Sequence, residues 1–152
     1  MNSNGLEKVL SQLTSPQPRK LQNKESQLWK SLSQSLKKIK RKIETTRIES
    51  WSVPGVPDVL CCNEKGNFTF LELKVVKKNK LHISPHQVAW MSRHSHGNVF
   101  IVCRDSDMVI NIYSGSDASN LCGNSLSSVR ALASFEKPYA WEKFWDLTCG
   151  NN

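Results

Sequence analysis

A chain of 152 residues with 21 Lys and Arg against 13 Asp and Glu, a net charge of +8, suffices for one sheet with helices around it but not for two full cores. No apolar run approaches the roughly 20 residues of a helical membrane span, and the N-terminus lacks an apolar leader, so a cytoplasmic chain is expected. The positive excess favours a polyanionic partner, nucleic acid being the commonest, and five cysteines without a C-x-x-C pair read as reduced, buried thiols.

Residues 1–23 are polar and broken by Pro16 and Pro18, which predicts a mobile arm. From Lys24 on, Leu28, Trp29, Leu32, Leu36 and Ile39 recur at helical spacing. Glu25 is the one acid on that stripe, and Lys30, Lys37, Lys38, Lys40, Arg41 and Lys42 make the other faces basic. Residues 45–51 read as a strand, followed by the turn-rich 52–57, a second strand over 58–62 and a third over 68–76. The loop Asn63-Glu64-Lys65-Gly66-Asn67 should join the last two as a hairpin.

Ser84-Pro85-His86-Gln87 opens a second helix, with Ser as N-cap, Pro at the first helical position and Gln completing a capping box. That helix should run to about residue 94 and stop at Gly97. Strands over 98–103 and 108–113 flank a short turn. The Gly-, Ser- and Asn-rich stretch 114–127 reads as loop, with helices near 126–135 and 139–148, where Trp141, Phe144 and Trp145 would pack inward.

A hairpin turning about Lys65 sets Asp58 across from Glu72, where opposed Cβ atoms lie roughly 5 Å apart. Two carboxylates at that range repel unless a cation lies between them. The strand period puts Phe68, Phe70, Glu72 and Lys74 on one face and Thr69, Leu71, Leu73 and Val75 on the other. The second face is core; the first turns from aromatic to charged, as a face does where it enters a cleft. A hard cation such as Mg²⁺ needs only one or two carboxylates, a backbone carbonyl and a phosphate oxygen beside its waters. Lys74 would orient or help deprotonate an attacking water, and the Gln87 amide can hold the same water or the backbone.

The order Glu25, Val56-Pro57-Asp58, Leu71-Glu72-Leu73-Lys74, Ser84-Pro85-His86-Gln87 resembles the PD-(D/E)XK nuclease superfamily. Gly55 to Asp58, Phe70 to Lys74 and Leu81 to Trp90 look like its VRR-NUC branch and the related Holliday-junction resolvases, especially small phage-type members. The resemblance spans roughly 24–104. It implies an α/β, restriction-endonuclease-like core, a central mixed sheet of four to five strands flanked by helices. It also implies hydrolysis of DNA phosphodiesters, on branched or duplex DNA, dependent on Mg²⁺ or Mn²⁺. Asp58, Glu72 and the Leu73 backbone carbonyl would be metal ligands and Lys74 catalytic, in host cytoplasm if the chain is phage-encoded. An acid on the first helix belongs to the pattern too. Glu25 fits it, because a carboxylate on an apolar stripe is costly and proximity to a metal would remove the cost; Glu49, which precedes the Pro-Asp step on a strand, is the rival. In these terms residues 24–113 form the core and 114–152 an extension of the same domain.

For nucleic acid, Lys77, Lys78 and Lys80 are best placed, with Lys37 and Lys38 as a second track and Trp51 as a residue that can stack on a base. A zinc site from His82, His86, His94, His96, Cys61 and Cys62 is disfavoured by the spacings. Two other readings stay open: a binding module without catalysis, and a restriction-like enzyme with short sequence specificity. Symmetric cutting of a four-way junction would need a homodimer.

Overall fold

The computed structural model describes residues 19–50 and 52–150; residues 1–18 of the expected arm 1–23, and Trp51, lie outside these, while residues 19–23, expected in that arm, are helical and start the first helix five residues earlier than the apolar stripe suggests. Helix α1 (Arg19–Ser35) continues into a tight turn, Leu36–Lys38. Its apolar stripe behaves as the spacing predicts: Leu28 and Leu32 are fully buried, with Trp29, Leu36 and Ile39 packed at the margin of the same core.

Strands β1 (Ile43–Arg47), β2 (Val59–Asn63) and β3 (Phe68–Val75) follow as an antiparallel meander. β1 begins and ends earlier than the sequence suggests, and beyond it the Ile48 N–H donates to the Asp58 carbonyl at 2.8 Å. The hairpin register, Val59 opposite Leu71 and Cys62 opposite Phe68, is the one that a turn about Lys65 requires. Its cause is local. The Asn63 side-chain oxygen accepts from the Lys65 and Asn67 N–H groups, both at 3.0 Å, and Gly66 takes the positive φ of 81° that closes the loop.

Helix α2 (Pro85–Arg93) carries the chain over the sheet, so that β4 (Val99–Arg104) lies parallel to β3. Both arms of the predicted capping box are present: the Gln87 N–H donates to Ser84 Oγ at 3.2 Å, and the Ser84 N–H to Gln87 Oε1 at 3.0 Å. Replacing Ser84 by Ala should cost about 1 kcal/mol in chemical denaturation.

β5 (Ile110–Ser114) returns antiparallel, and β6 (Ala133–Phe135) pairs with it, giving six strands among the described residues, in the order 1 to 6, rather than the four to five expected. Two further corrections concern the C-terminal third. Residues 115–128 are folded, as short helical turns around α3 (Ala118–Leu121), because Ala118, Leu121 and Leu126 bury against Leu81, Trp90 and Met91. The helix expected near 126–135 is instead one turn, Leu126–Ser128, and β6: the open edge of β5 supplies backbone partners for an extended segment.

Helix α4 (Trp141–Trp145) and the wider turn Asp146–Gly150 bring Phe144 and Trp145 fully into the core. Trp145 Nε1 donates to Ser35 Oγ at 2.7 Å, Thr69 Oγ1 to the Thr148 carbonyl at 3.0 Å, and Asn63 Nδ2 to the Cys149 carbonyl at 2.8 Å. The architecture is therefore a mixed α/β sheet with α1 and α4 on one face and α2 and α3 on the other. Among the described residues no helix is long and apolar enough to cross a membrane.

Candidate active site

Side chains from five segments meet in a cavity of about 370 Å³, lined by Glu25 and Ser26 of α1, Arg47 at the end of β1, Glu49, Asp58, Glu72 and Lys74 of β3, and Gln87 of α2. Asp58 stands where the second strand begins. Its Oδ2 accepts from the Leu73 N–H at 2.9 Å, which ties the residue before β2 to the neighbouring strand. Continued two residues past its last pair, Val59 opposite Leu71, the hairpin register would set Pro57 across from Leu73, and proline has no N–H to offer the Leu73 carbonyl. The proline thus suits a backbone oxygen kept available beside Asp58.

Glu72 and Lys74 lie deeper than a cleft face would place them, at 1 % and 3 % exposure. Glu72 Oε1 receives Lys74 Nζ at 3.0 Å and Gln87 Nε2 at 2.5 Å. Gln87 therefore works with both ends, its oxygen capping α2 and its nitrogen reaching Glu72, so the cap fixes where the amide points. Glu72 Oε2 is buried and has no hydrogen-bond partner among the described residues. A buried, orphaned carboxylate oxygen carries a penalty of about 1–3 kcal/mol or more, and such a group is kept where something else satisfies it.

Electrostatics sharpen this. Burial above all, with the nearby Asp58 and Glu25 carboxylates and against the pull of Lys74, pushes Glu72 up to about 8. Glu25 is likewise raised, first by burial and then by Asp58, while Lys74 and Arg47 draw it down. For Lys74, burial acts to lower the pKa, but Glu72, Glu25 and Asp58 together hold it above the ordinary lysine value. Lys74 is a fixed cation here, and three acids surround it.

Among the described residues no group of three His, Cys, Asp or Glu side chains forms a complete metal cage. Mg²⁺ does not require one, since it keeps several waters and binds through one or two carboxylates. The orphan Oε2 of Glu72, the adjacent Asp58 and the all-oxygen donor chemistry fit such an ion.

The structure brings together Glu25, Asp58, Glu72, Lys74 and Gln87. Glu49 also lines the cavity, but Glu25 is the acid whose charge raises both Glu72 and Lys74. Lys77, Lys78 and Lys80 are exposed on a two-residue turn after β3, with Lys78 and Asn79 at φ of 50° and 58°, outside the cavity lining. Lys37 and Lys38 are exposed beyond the far end of α1. The four histidines are exposed, and none joins Cys61 or Cys62 in a cluster.

Arg47 is the residue that sequence reasoning missed. Its guanidinium lies 5.6 Å from the centre of the Trp29 ring and lines the acid-rich cavity. The only signal was a cation ending a strand ahead of Pro57-Asp58.

Gly55 holds the loop in place. It sits at φ +88°, and a Cβ there would come 2.2 Å from the His86 carbonyl oxygen. The Pro-Asp loop packs directly on the first turn of α2. Gly55→Ala should destabilise the protein by about 2–3 kcal/mol in denaturant titration, while leaving every cavity side chain chemically intact.

No family model matches the chain, and no curated protein matches it in sequence. Among solved structures it is similar to Hjc, a Holliday junction resolvase from the hyperthermophilic archaeon Archaeoglobus fulgidus. The identity is 17 %, over 59 % of this chain and 76 % of that one, with a TM-score of 0.45.

Proposed function

We propose that this protein is a divalent-metal-dependent endonuclease that hydrolyses DNA phosphodiester bonds, with branched DNA as its substrate and Asp58, Glu72 and Lys74 as the reactive set. The observation that carries the proposal is the Glu72 carboxylate: one oxygen is bound by Lys74 and Gln87, and the other is buried, bare and next to a second acid. A fully buried acid whose pKa burial, and then two nearby carboxylates, push up to about 8 marks a site where charge is expected to arrive.

Asp58, Glu72 Oε2 and the Leu73 carbonyl would hold Mg²⁺ or Mn²⁺. When bound, such an ion supplies Lewis-acid stabilisation of the phosphorane-like charge and a more acidic water. The chain itself does the remaining work. Lys74, kept protonated by three carboxylates, orients the attacking water and offsets negative charge. Gln87 fixes the Glu72 rotamer, and Arg47, on the face of Trp29, is placed to receive a phosphate oxygen. Glu25 balances Lys74 from the α1 side.

Purified protein should cut DNA with Mg²⁺ or Mn²⁺, and a panel of junction, flap, single-stranded and duplex substrates with mapped cuts would define the preference. Salt-dependent binding without cleavage under either ion would refute the enzyme reading in favour of a binding module. Gln87→Ala should lower kcat about 10- to 100-fold, as loss of a residue that positions a metal ligand does, with a smaller change in DNA affinity.

A further inference from the structure

A second cavity, of about 610 Å³, is lined by Lys38, Lys137, Pro138, Tyr139 and Trp141. None of the lining residues is acidic, and both lysines are exposed and have no ion pair among the described residues. The nearby Glu142 is occupied, its Oε1 accepting the Lys40 N–H at 2.8 Å.

The aromatic wall is built to stay put. Tyr139 donates its hydroxyl to the Met108 carbonyl at 2.5 Å, and Trp141 lies against it with ring centres 4.9 Å apart. From the other side Phe144, fully buried, meets Trp141 edge-on at 5.7 Å. Both rings are half-buried, so each offers part of its surface to the cavity.

We propose that this cavity binds an unpaired nucleotide of the nucleic-acid substrate, its base stacked on the Trp141 and Tyr139 rings and its phosphate between Lys38 and Lys137. The inference rests on the nuclease reading above and narrows it to substrates with a single-stranded portion. Rigid rings beside cations are the combination that single-strand binders use: every base has a π-face to stack, and the lysines track the backbone. A fully paired duplex keeps its bases stacked on each other and offers this wall nothing but phosphate. The two cavities lie along one helix, Glu25 standing about two turns into α1 and Lys38 just past its end. That separation is ~20 Å along the helix axis, the order of a few nucleotides of an extended single strand, so the unpaired nucleotide would lie only a few residues from the bond at Glu72.

The test is equilibrium binding of the full chain to an oligothymidylate and to a blunt duplex, in EDTA so that nothing is cut. The variants are Lys38→Gln with Lys137→Gln, and Trp141→Leu, each checked by circular dichroism. Affinity for the single strand should fall about tenfold or more in each variant, while duplex affinity changes about twofold or less. Unchanged single-strand affinity, or equal losses on both probes, would overturn the proposal. If Trp141→Leu does not fold, the lysine pair decides, since both are exposed. Cleavage by the unmodified protein with Mg²⁺ is scored separately, so failure of the nuclease reading and failure of the nucleotide site give different results.

Discussion

Cleavage by a Glu72→Gln protein should fall by about three orders of magnitude or more, the loss expected when several kcal/mol of charge stabilisation disappear. The substitution is chosen for what it keeps. A glutamine oxygen can still accept from Lys74 and Gln87, where Glu72 Oε1 does now, so the buried contacts survive. Its amide nitrogen then replaces the bare Oε2, turning an acceptor for a cation into a donor. Gel assays of plasmid or junction cleavage, beside a melting curve, read the two consequences separately. Undiminished cutting would remove Glu72 from the chemistry, and a collapsed fold would show that the pair with Lys74 is structural.

The second large effect is on pH. Glu72 has its folded pKa raised from 4.5 to about 8. A raised folded value means that the stability tied to this group is complete below the unfolded pKa and is lost as pH rises through the folded one. In metal-free buffer the wild type should therefore weaken relative to Glu72→Gln between about pH 5 and pH 8. The difference can reach on the order of 5 kcal/mol, from one pKa unit being worth about 1.4 kcal/mol. Denaturant titrations of both proteins at three or four pH values measure it. The same proton competes with a cation, so Mn²⁺ affinity should drop about tenfold for each pH unit below 8, with close to one proton released per ion bound. Calorimetry in two buffers of different ionisation enthalpy counts that proton. A Mn²⁺ affinity independent of pH over this range would place the ion elsewhere.

Much of the site was legible because its parts are set locally. Asn63 and Gly66 fix the hairpin turn, the turn fixes the register, and the register puts Asp58 beside Glu72 without help from the rest of the fold. Ser84-Pro85-His86-Gln87 is likewise a local signal, and it was right about the cap. What it could not reveal is that Gln87 has a nitrogen left over, aimed at Glu72, since that depends on where α2 lands on the sheet. The depth of Glu72 and Lys74 is also a tertiary outcome. Alternation says which face they share but not how deeply α2 and the residues around the cavity bury it.

The C-terminal third was harder. Residues 115–128 carry loop composition, and only their burial against Trp90 and Met91 makes short helical turns worthwhile. β6 has just three residues, below the length at which alternation is visible, and its extended form comes from the edge of β5. Arg47 lies on an exposed strand end, where a single cation is ordinary, and only the cavity geometry distinguishes it. The mixed α/β layout was anticipated, with the sixth strand the addition.

The buttress that residues 144–149 make under the hairpin has a bearing on synthesis. Asn63 and Thr69, on the two arms that carry Asp58 and Glu72, wait for the carbonyls of Cys149 and Thr148, and α1 waits for Trp145. The acids and the lysine are translated by residue 74, yet their scaffold lacks its last partners until residue 149 has cleared the ribosome. A growing chain that already contains all of these side chains thus holds them on a hairpin still missing its buttress.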